Sequence, residues 1–160
     1  MALYLVRHAV AGPRLSDHSE DFQRLLTPAG VSQAKAVADK LALQQVKRIF
    51  SSPALRCTGT VAPLAERLGL KIEIARQLAE AVSVSATIGF LNSLAAKPGD
   101  SVLSSHGDVI PAVIWTLAQN GLDIPDRHRC KKASIWELAV KDGDIRSAVY
   151  HHPKTFGADV

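Results

Sequence analysis

Cysteine is scarce. Cys57 and Cys130 are the only two, far apart and outside any C-x-x-C spacing. They could close on each other, but no disulfide framework is written here, and a reducing compartment suits the chain better. Aromatic residues make up 5% of the sequence, and Lys and Arg are scattered. The stacking platforms and basic clusters of a nucleic-acid module are therefore missing. Long apolar runs are missing too: Arg7 interrupts the first after five apolar residues following Met1, and Val109 to Ala118 contains Pro111 and Thr116. Neither a leader nor a membrane span is expected, and the chain reads as cytoplasmic. There is no H-E-x-x-H, Walker A or G-x-G-x-x-G spacing. His151 and His152 are neighbours, so on a strand they point to opposite faces and cannot share a metal. No metal and no cofactor are expected.

What is there is enough for one domain over residues 1–160, with 47% hydrophobic residues to form its core. A net charge of +4 and a pI near 9.3 favour anionic partners. The pattern alternates strand and helix. Ala2 to Val6 reads as a strand buried on both faces. A polar loop, Val10 to Leu26, is long enough to be a flap. Thr27 caps a helix that runs to about Leu43, with Val31, Ala34, Val37, Ala38 and Leu41 on its inner face. Val46 to Phe50 is a second strand. A helix follows from Pro53 to about Leu68, with Leu55, Ala62, Leu64, Ala65 and Leu68 inward, and Pro63 should kink or split it.

Lys71 to Ala75 looks like an edge strand, Gln77 to Val84 a loop, Ser85 to Ala96 a helix and Ser101 to Ser105 a short strand. Asp108 can cap a helix reaching about Gln119, with its carboxylate facing away from the preceding strand end. Trp115 and Trp136 read as core. Ala133 to Val140 and Ile145 to Tyr150 form a hairpin through Asp142-Gly143, and the tail from His152 should be loosely attached. This order predicts an α/β fold, a three-layer αβα sandwich with a largely parallel central sheet and an antiparallel edge.

Three strands end in polar residues: Arg7-His8, then Ser51-Ser52-Pro53 with Arg56 one turn on, then His106-Gly107. Ligands collect beyond the carboxyl ends of parallel strands. Two arginines and two histidines there would make a pocket suited to a phosphoryl group, since guanidinium matches phosphate oxygens bidentately.

These residues resemble a known family. Arg7-His8-Ala9, Ser51-Ser52-Pro53-x-x-Arg56-x-x-x-Thr60 and Ser105-His106-Gly107 are similar, in order and spacing, to the three motifs of the histidine phosphatase (phosphoglycerate mutase-like) superfamily. Arg24-Leu-Leu-Thr27-x-x-Gly30 resembles an element of the small bacterial phosphohistidine phosphatases, with Leu25 in place of proline. Lys132-Ala-Ser-Ile-Trp136 is similar to phosphatase domains fused to Nudix hydrolases, which act on nucleotides.

The resemblance implies metal-independent catalysis in which His8 attacks phosphorus and carries the phosphoryl group until water removes it. Arg7, Arg56 and His106 would hold the phosphoryl oxygens, joined by Gly107, Arg24 and Ser51 as substrate contacts. Glu80 in Leu78-Ala79-Glu80 would be the acid, with Asp17, His18 and Asp21 on the flap as weaker candidates. The substrate implied is a phosphorylated one, foremost a phosphohistidine-bearing protein. Nucleotides, sugar phosphates and other small phosphomonoesters remain open, as does a non-catalytic phosphate-binding module. Oligomeric state is not written in these motifs.

Overall fold

The computed structural model describes residues 1–159. Six strands, β1 (Ala2–Arg7), β2 (Val46–Ser51), β3 (Ile72–Ile74), β4 (Asp100–Ser105), β5 (Ile135–Lys141) and β6 (Asp144–His151), form one sheet in the order β3-β2-β4-β1-β5-β6. The first four in that order run parallel, and β5 and β6 are antiparallel to their neighbours. Four α-helices, α2 (Pro28–Leu41), α3 (Leu55–Leu68), α4 (Val84–Ala95) and α5 (Val109–Gln119), cover the two faces, and a short helix α1 (His18–Phe22) lies apart from them. The fold is the α/β sandwich expected, with its antiparallel edge. None of the described helices is long and apolar enough to cross a membrane.

Strand β1 divides the core as a period of two requires. Leu3 and Leu5 pack with α4 and α5 residues Leu91, Leu94, Ile110 and Val113. Tyr4 and Val6 pack on the other face with Val37, Leu41, Val61 and Leu64 of α2 and α3. At the hairpin, Asp142 and Gly143 have φ of 55° and 81°, the double positive φ that matches strand twist in a two-residue turn. Thr27 Oγ1 accepts from the Gly30 N–H at 3.1 Å and caps α2. Gly30 is obligatory, because a Cβ there would lie 1.9 Å from the Val10 carbonyl oxygen. Close contact between the α2 start and the backbone just after His8 depends on that missing side chain.

Several expectations on burial are corrected. Val31 is 43% exposed, Leu55 is 42% exposed, and Ala62 is also exposed. The inner face of α3 is instead Arg56, Cys57, Thr60, Val61, Leu64 and Ala65. Its N-terminal turn faces a polar site, so polar residues take the positions that an apolar stripe would assign to the surface. Helix α3 also runs unbroken through Pro63. Trp136 is core at 1% exposure, but Trp115 is 52% exposed on α5.

The tail is docked rather than loose: Pro153–Phe156 forms a 3₁₀ turn, Lys40 lies over the Phe156 ring, and Ala158 is buried. Gln33 of α2, itself 3% exposed, accepts from the Val10 N–H and donates to the Ala158 carbonyl, both at 2.9 Å. The flap is closed at its base by an antiparallel bridge between Ala11 and Leu26, and carries α1, which was not foreseen.

Candidate active site

The end of β1 is held on both sides. Arg7 N–H donates to the Ser134 carbonyl at 3.1 Å and His8 N–H to the Ser105 carbonyl at 3.0 Å. The Ala133 N–H approaches the carbonyls of Arg7 and His8 at 3.1 and 3.3 Å. His8 is 5% exposed, and its Nδ1 lies 2.8 Å from the Ala9 carbonyl oxygen. That carbonyl can only accept, so Nδ1 carries the proton and Nε2 keeps a free lone pair. Burial pushes the His8 pKa down to about 3; the Ala9 contact opposes this, while His106, Arg56 and Arg7 reinforce it. The ring is neutral at pH 7, and a neutral imidazole nitrogen is a nucleophile.

His8 lines a cavity of about 770 Å³ together with Arg7, Arg14, Arg24, Lys132, Glu80, Gly107 and Asp108. Arg7 Nη1 donates to the Cys130 carbonyl, and its guanidinium lies against Gly107. A Cβ on residue 107 would stand 2.7 Å from Arg7 Cζ, so only glycine leaves room. Arg7 Nε is buried without a protein partner.

Arg56 and His106 stand behind the cavity wall. Arg56 is fully buried; Nη1 donates to the Asp21 carbonyl at 3.0 Å, and Nη2 is 3.1 Å from Glu80 Oε1. Its Nη2 also lies 3.4 Å from His106 Nδ1, and Nε2 of His106 is hydrogen-bonded to Ser52 Oγ at 2.7 Å. Burial, then the Arg56 charge, lowers the His106 pKa to about 4, so this second ring, 5.6 Å from the first, is neutral too. Cys57 Sγ lies 3.5 Å from His106 Nε2, but burial raises its pKa to about 12 and keeps it an unreactive thiol.

The flap reaches this cluster through Asp21, which is 4% exposed. Burial alone would raise its pKa; the Leu15 N–H at 2.9 Å and Arg24 Nε at 2.8 Å outweigh it and hold the carboxyl below the ordinary range. Asp21 thus neutralises Arg24 and Arg56 from one position. Thr60 performs the matching task on the strand side, accepting from Ala9 N–H at 2.9 Å and donating to the Arg56 carbonyl at 2.7 Å.

Of the residues singled out in the sequence, Arg7, His8, His18, Arg24, Glu80 and Gly107 line the cavity, Arg56 and His106 back it, and Asp17 instead caps α1. Ser51 is not among them: it is fully buried and donates to the Ser52 carbonyl at 2.7 Å, and its neighbour Ser52 meets His106 instead. Asp108 also departs from expectation. It makes no side-chain cap for α5; it lines the cavity, and its Oδ2 accepts from the Ala81 N–H at 3.1 Å.

Glu80 Oε1 lies 3.1 Å from Arg14 Nη2 and 3.5 Å from His106 Nδ1. Arg14, on the flap, lies in no motif, and Lys132 opens the Lys132-to-Trp136 element without marking itself as a site residue; both line the cavity. Among the described residues, no three His, Cys, Asp or Glu side chains are grouped to hold a metal ion.

The model of the histidine phosphatase superfamily (branch 1) matches residues 3–83. The chain belongs to the histidine phosphatase superfamily. An uncharacterised protein of Picosynechococcus sp. is 36% identical over 156 residues, covering 91% of this chain and 88% of that protein. An 8-oxo-(d)GTP phosphatase of Mycolicibacterium smegmatis is 30% identical over 152 residues, 93% of this chain. The chain spans only 47% of that relative's length.

Among solved structures, the protein histidine phosphatase SixA complexed with tungstate superposes with a TM-score of 0.74 at 20% identity, covering 97% of this chain and 99% of that one. At that identity the likeness is one of fold. In this superfamily member the matched stretch holds Arg7, His8, Arg56 and Glu80, whereas His106, Gly107, Asp108 and Lys132 lie beyond it.

Proposed function

We propose that this histidine phosphatase removes phosphoryl groups from phosphohistidine-bearing protein, by way of a phosphohistidine on its own His8 and without a metal. The observation that carries this is the state of His8: buried, neutral, with Nδ1 tied to the Ala9 carbonyl and Nε2 left free in a cationic cavity. The Nε2 lone pair forms the bond to phosphorus while the bond to the substrate's nitrogen breaks, and the departing imidazole takes a proton from solvent, Glu80 being engaged with Arg14 and Arg56. Water then attacks the phosphoryl-His8, releasing inorganic phosphate and restoring the neutral ring. Arg7 meets the equatorial oxygens, and the buried charge of Arg56 stabilises them from behind the wall. Such preorganised donors are commonly worth on the order of a hundredfold to a thousandfold each in rate.

A second reading, hydrolysis of a phosphorylated nucleotide, has specific support in the relative named as an 8-oxo-(d)GTP phosphatase and in a cavity of about 770 Å³, roomier than one phosphoryl group needs. The test is to incubate wild type and His8→Ala with ³²P-labelled phosphohistidine protein, nucleotides and sugar phosphates, and to quench in alkali. Acid-labile label on the wild type, absent from His8→Ala, is expected, and the substrate turned over fastest separates the two readings. Wild-type protein that binds phosphate or vanadate yet hydrolyses none of the donors would overturn both.

A further inference from the structure

The arginines that line or back the cavity are each engaged: Arg14 with Glu80 at 3.1 Å, Arg24 with Asp21 at 2.8 Å, Arg56 with Glu80 at 3.1 Å and Arg7 with the Cys130 carbonyl. Lys132 lines the same cavity and has no ion-pair partner among the described residues. Its backbone is nonetheless fixed. Cys130, two residues before it, accepts from Arg7, and Ala133, immediately after it, donates to the carbonyls of Arg7 and His8. Ala133 has φ of 61°, a left-handed conformation that costs a non-glycine residue about 1 kcal/mol or more and that clusters at functional sites.

The arrangement repeats across the cavity, where Glu80 is followed by Ala81 at φ of 59°. Among the described residues these are two of the three non-glycine residues at positive φ, the third being Asp142 in the hairpin turn. Each strained alanine follows a charged residue of the cavity. Burial and the neighbouring charges of Arg7, Arg24 and Arg56 lower the Lys132 pKa. Apart from Arg7, which meets the phosphoryl group, Lys132 is thus the cavity cation whose charge no carboxylate among the described residues offsets, and an anion beside it would do so.

We infer that Lys132 forms a second anion subsite beside the phosphoryl position, taking an anionic group that adjoins the scissile phosphoryl group in the substrate. In a nucleoside di- or triphosphate this group is the next phosphate; in a phosphohistidine protein it is an acidic side chain flanking the modified residue. The inference rests on reading the cavity as the phosphoryl site, but its test does not require turnover.

In the His8→Ala protein, inorganic phosphate and inorganic pyrophosphate are titrated by calorimetry. Pyrophosphate is expected to bind about tenfold tighter than phosphate, an advantage lost on adding Lys132→Met and largely kept with Lys132→Arg. If pyrophosphate has no advantage, or keeps it in Lys132→Met, the subsite does not exist. If Lys132→Met weakens both ions equally, Lys132 serves only the scissile group and the inference is likewise wrong.

Turnover then distinguishes the sources. Lys132→Met lowers kcat/KM, mainly through KM, either on nucleoside triphosphate or on a phosphohistidine peptide with flanking aspartates relative to one with flanking alanines. A wild type that hydrolyses nothing removes the proposed function while leaving the binding result standing.

Discussion

Acidification should expose the two buried histidines separately from the rest of the fold. The His8 pKa is lowered from 6.5 to about 3 and the His106 pKa from 6.5 to about 4, in both cases chiefly by burial. Between those values and 6.5, the unfolded chain binds a proton on each ring that the native state refuses. Stability is full above pH 6.5 and falls as pH drops, by about 1.4 kcal/mol per pH unit for each histidine. From pH 6.5 to 4.5 that makes about 2 kcal/mol for His8 alone, because the unfolded ring is only half protonated at the start, and this is a sizeable part of the 5–15 kcal/mol typical of a domain.

Urea unfolding of wild type and His8→Ala at pH 6.5, 5.5 and 4.5 measures it. The substitution also leaves a cavity, which lowers stability at every pH, so the slope against pH is the quantity to compare. His8→Ala should lose about 1 kcal/mol less per pH unit than wild type over this range. Long-range ¹H–¹⁵N spectra supply a second measure: at pH 5 His8 should still show the neutral Nδ1–H form. Parallel acid slopes in the two proteins, or a His8 ring titrating near 6.5, would refute the reasoning.

Arg56→Met should destabilise the protein by about 2–3 kcal/mol in chemical denaturation, because it leaves the Asp21 carbonyl without its buried donor and removes a cation shared by the Asp21 and Glu80 carboxylates; a change below about 1 kcal/mol would mean that these contacts carry no weight. Gly107→Ala forces the Arg7 guanidinium to move, since its Cζ is 2.7 Å from the added methyl group. Turnover should fall by about a hundredfold with the urea midpoint little changed, and an unaltered kcat/KM would show that Arg7 need not lie there. Asp108 acts on the Glu80 turn through the Ala81 N–H at 3.1 Å. Asp108→Asn keeps an acceptor and should hold kcat within about threefold, whereas Asp108→Ala should lower kcat about tenfold with less effect on KM. Equal loss in both variants would assign the role to the negative charge instead.

The order of elements was legible because each strand and helix has its own period and its own stop signal. Gly69, Asp142-Gly143 and Thr27-Pro28 do locally what they do in the fold. Site residues at strand ends were legible for the same reason, as polar interruptions of apolar runs. Long-range polar pairing was not. Nothing near Arg56 in sequence shows that Asp21 and Glu80 neutralise it, so hydropathy places Leu64 and Ala65 correctly but leaves Leu55 and Ala62 assigned to the core. Asp108 has the type and position of a helix cap, and only the meeting of two loops diverts its carboxylate to Ala81. Alanine carries no sequence signal for the left-handed conformation, so the turns that place Glu80 and Lys132 were invisible. Gln33 carries no local signal of its bonds to Val10 and Ala158, which form only when the tail folds back over α2.

That glutamine also links the two ends of the molecule mechanically. Its oxygen grips the backbone at Val10, two residues past His8, and its nitrogen grips the carbonyl of Ala158. One planar amide therefore spans the gap between the nucleophile's own segment and the C-terminal tail. A pull, cut or docking event at the tail need travel only the length of a single side chain to reach the peptide that orients the nucleophile.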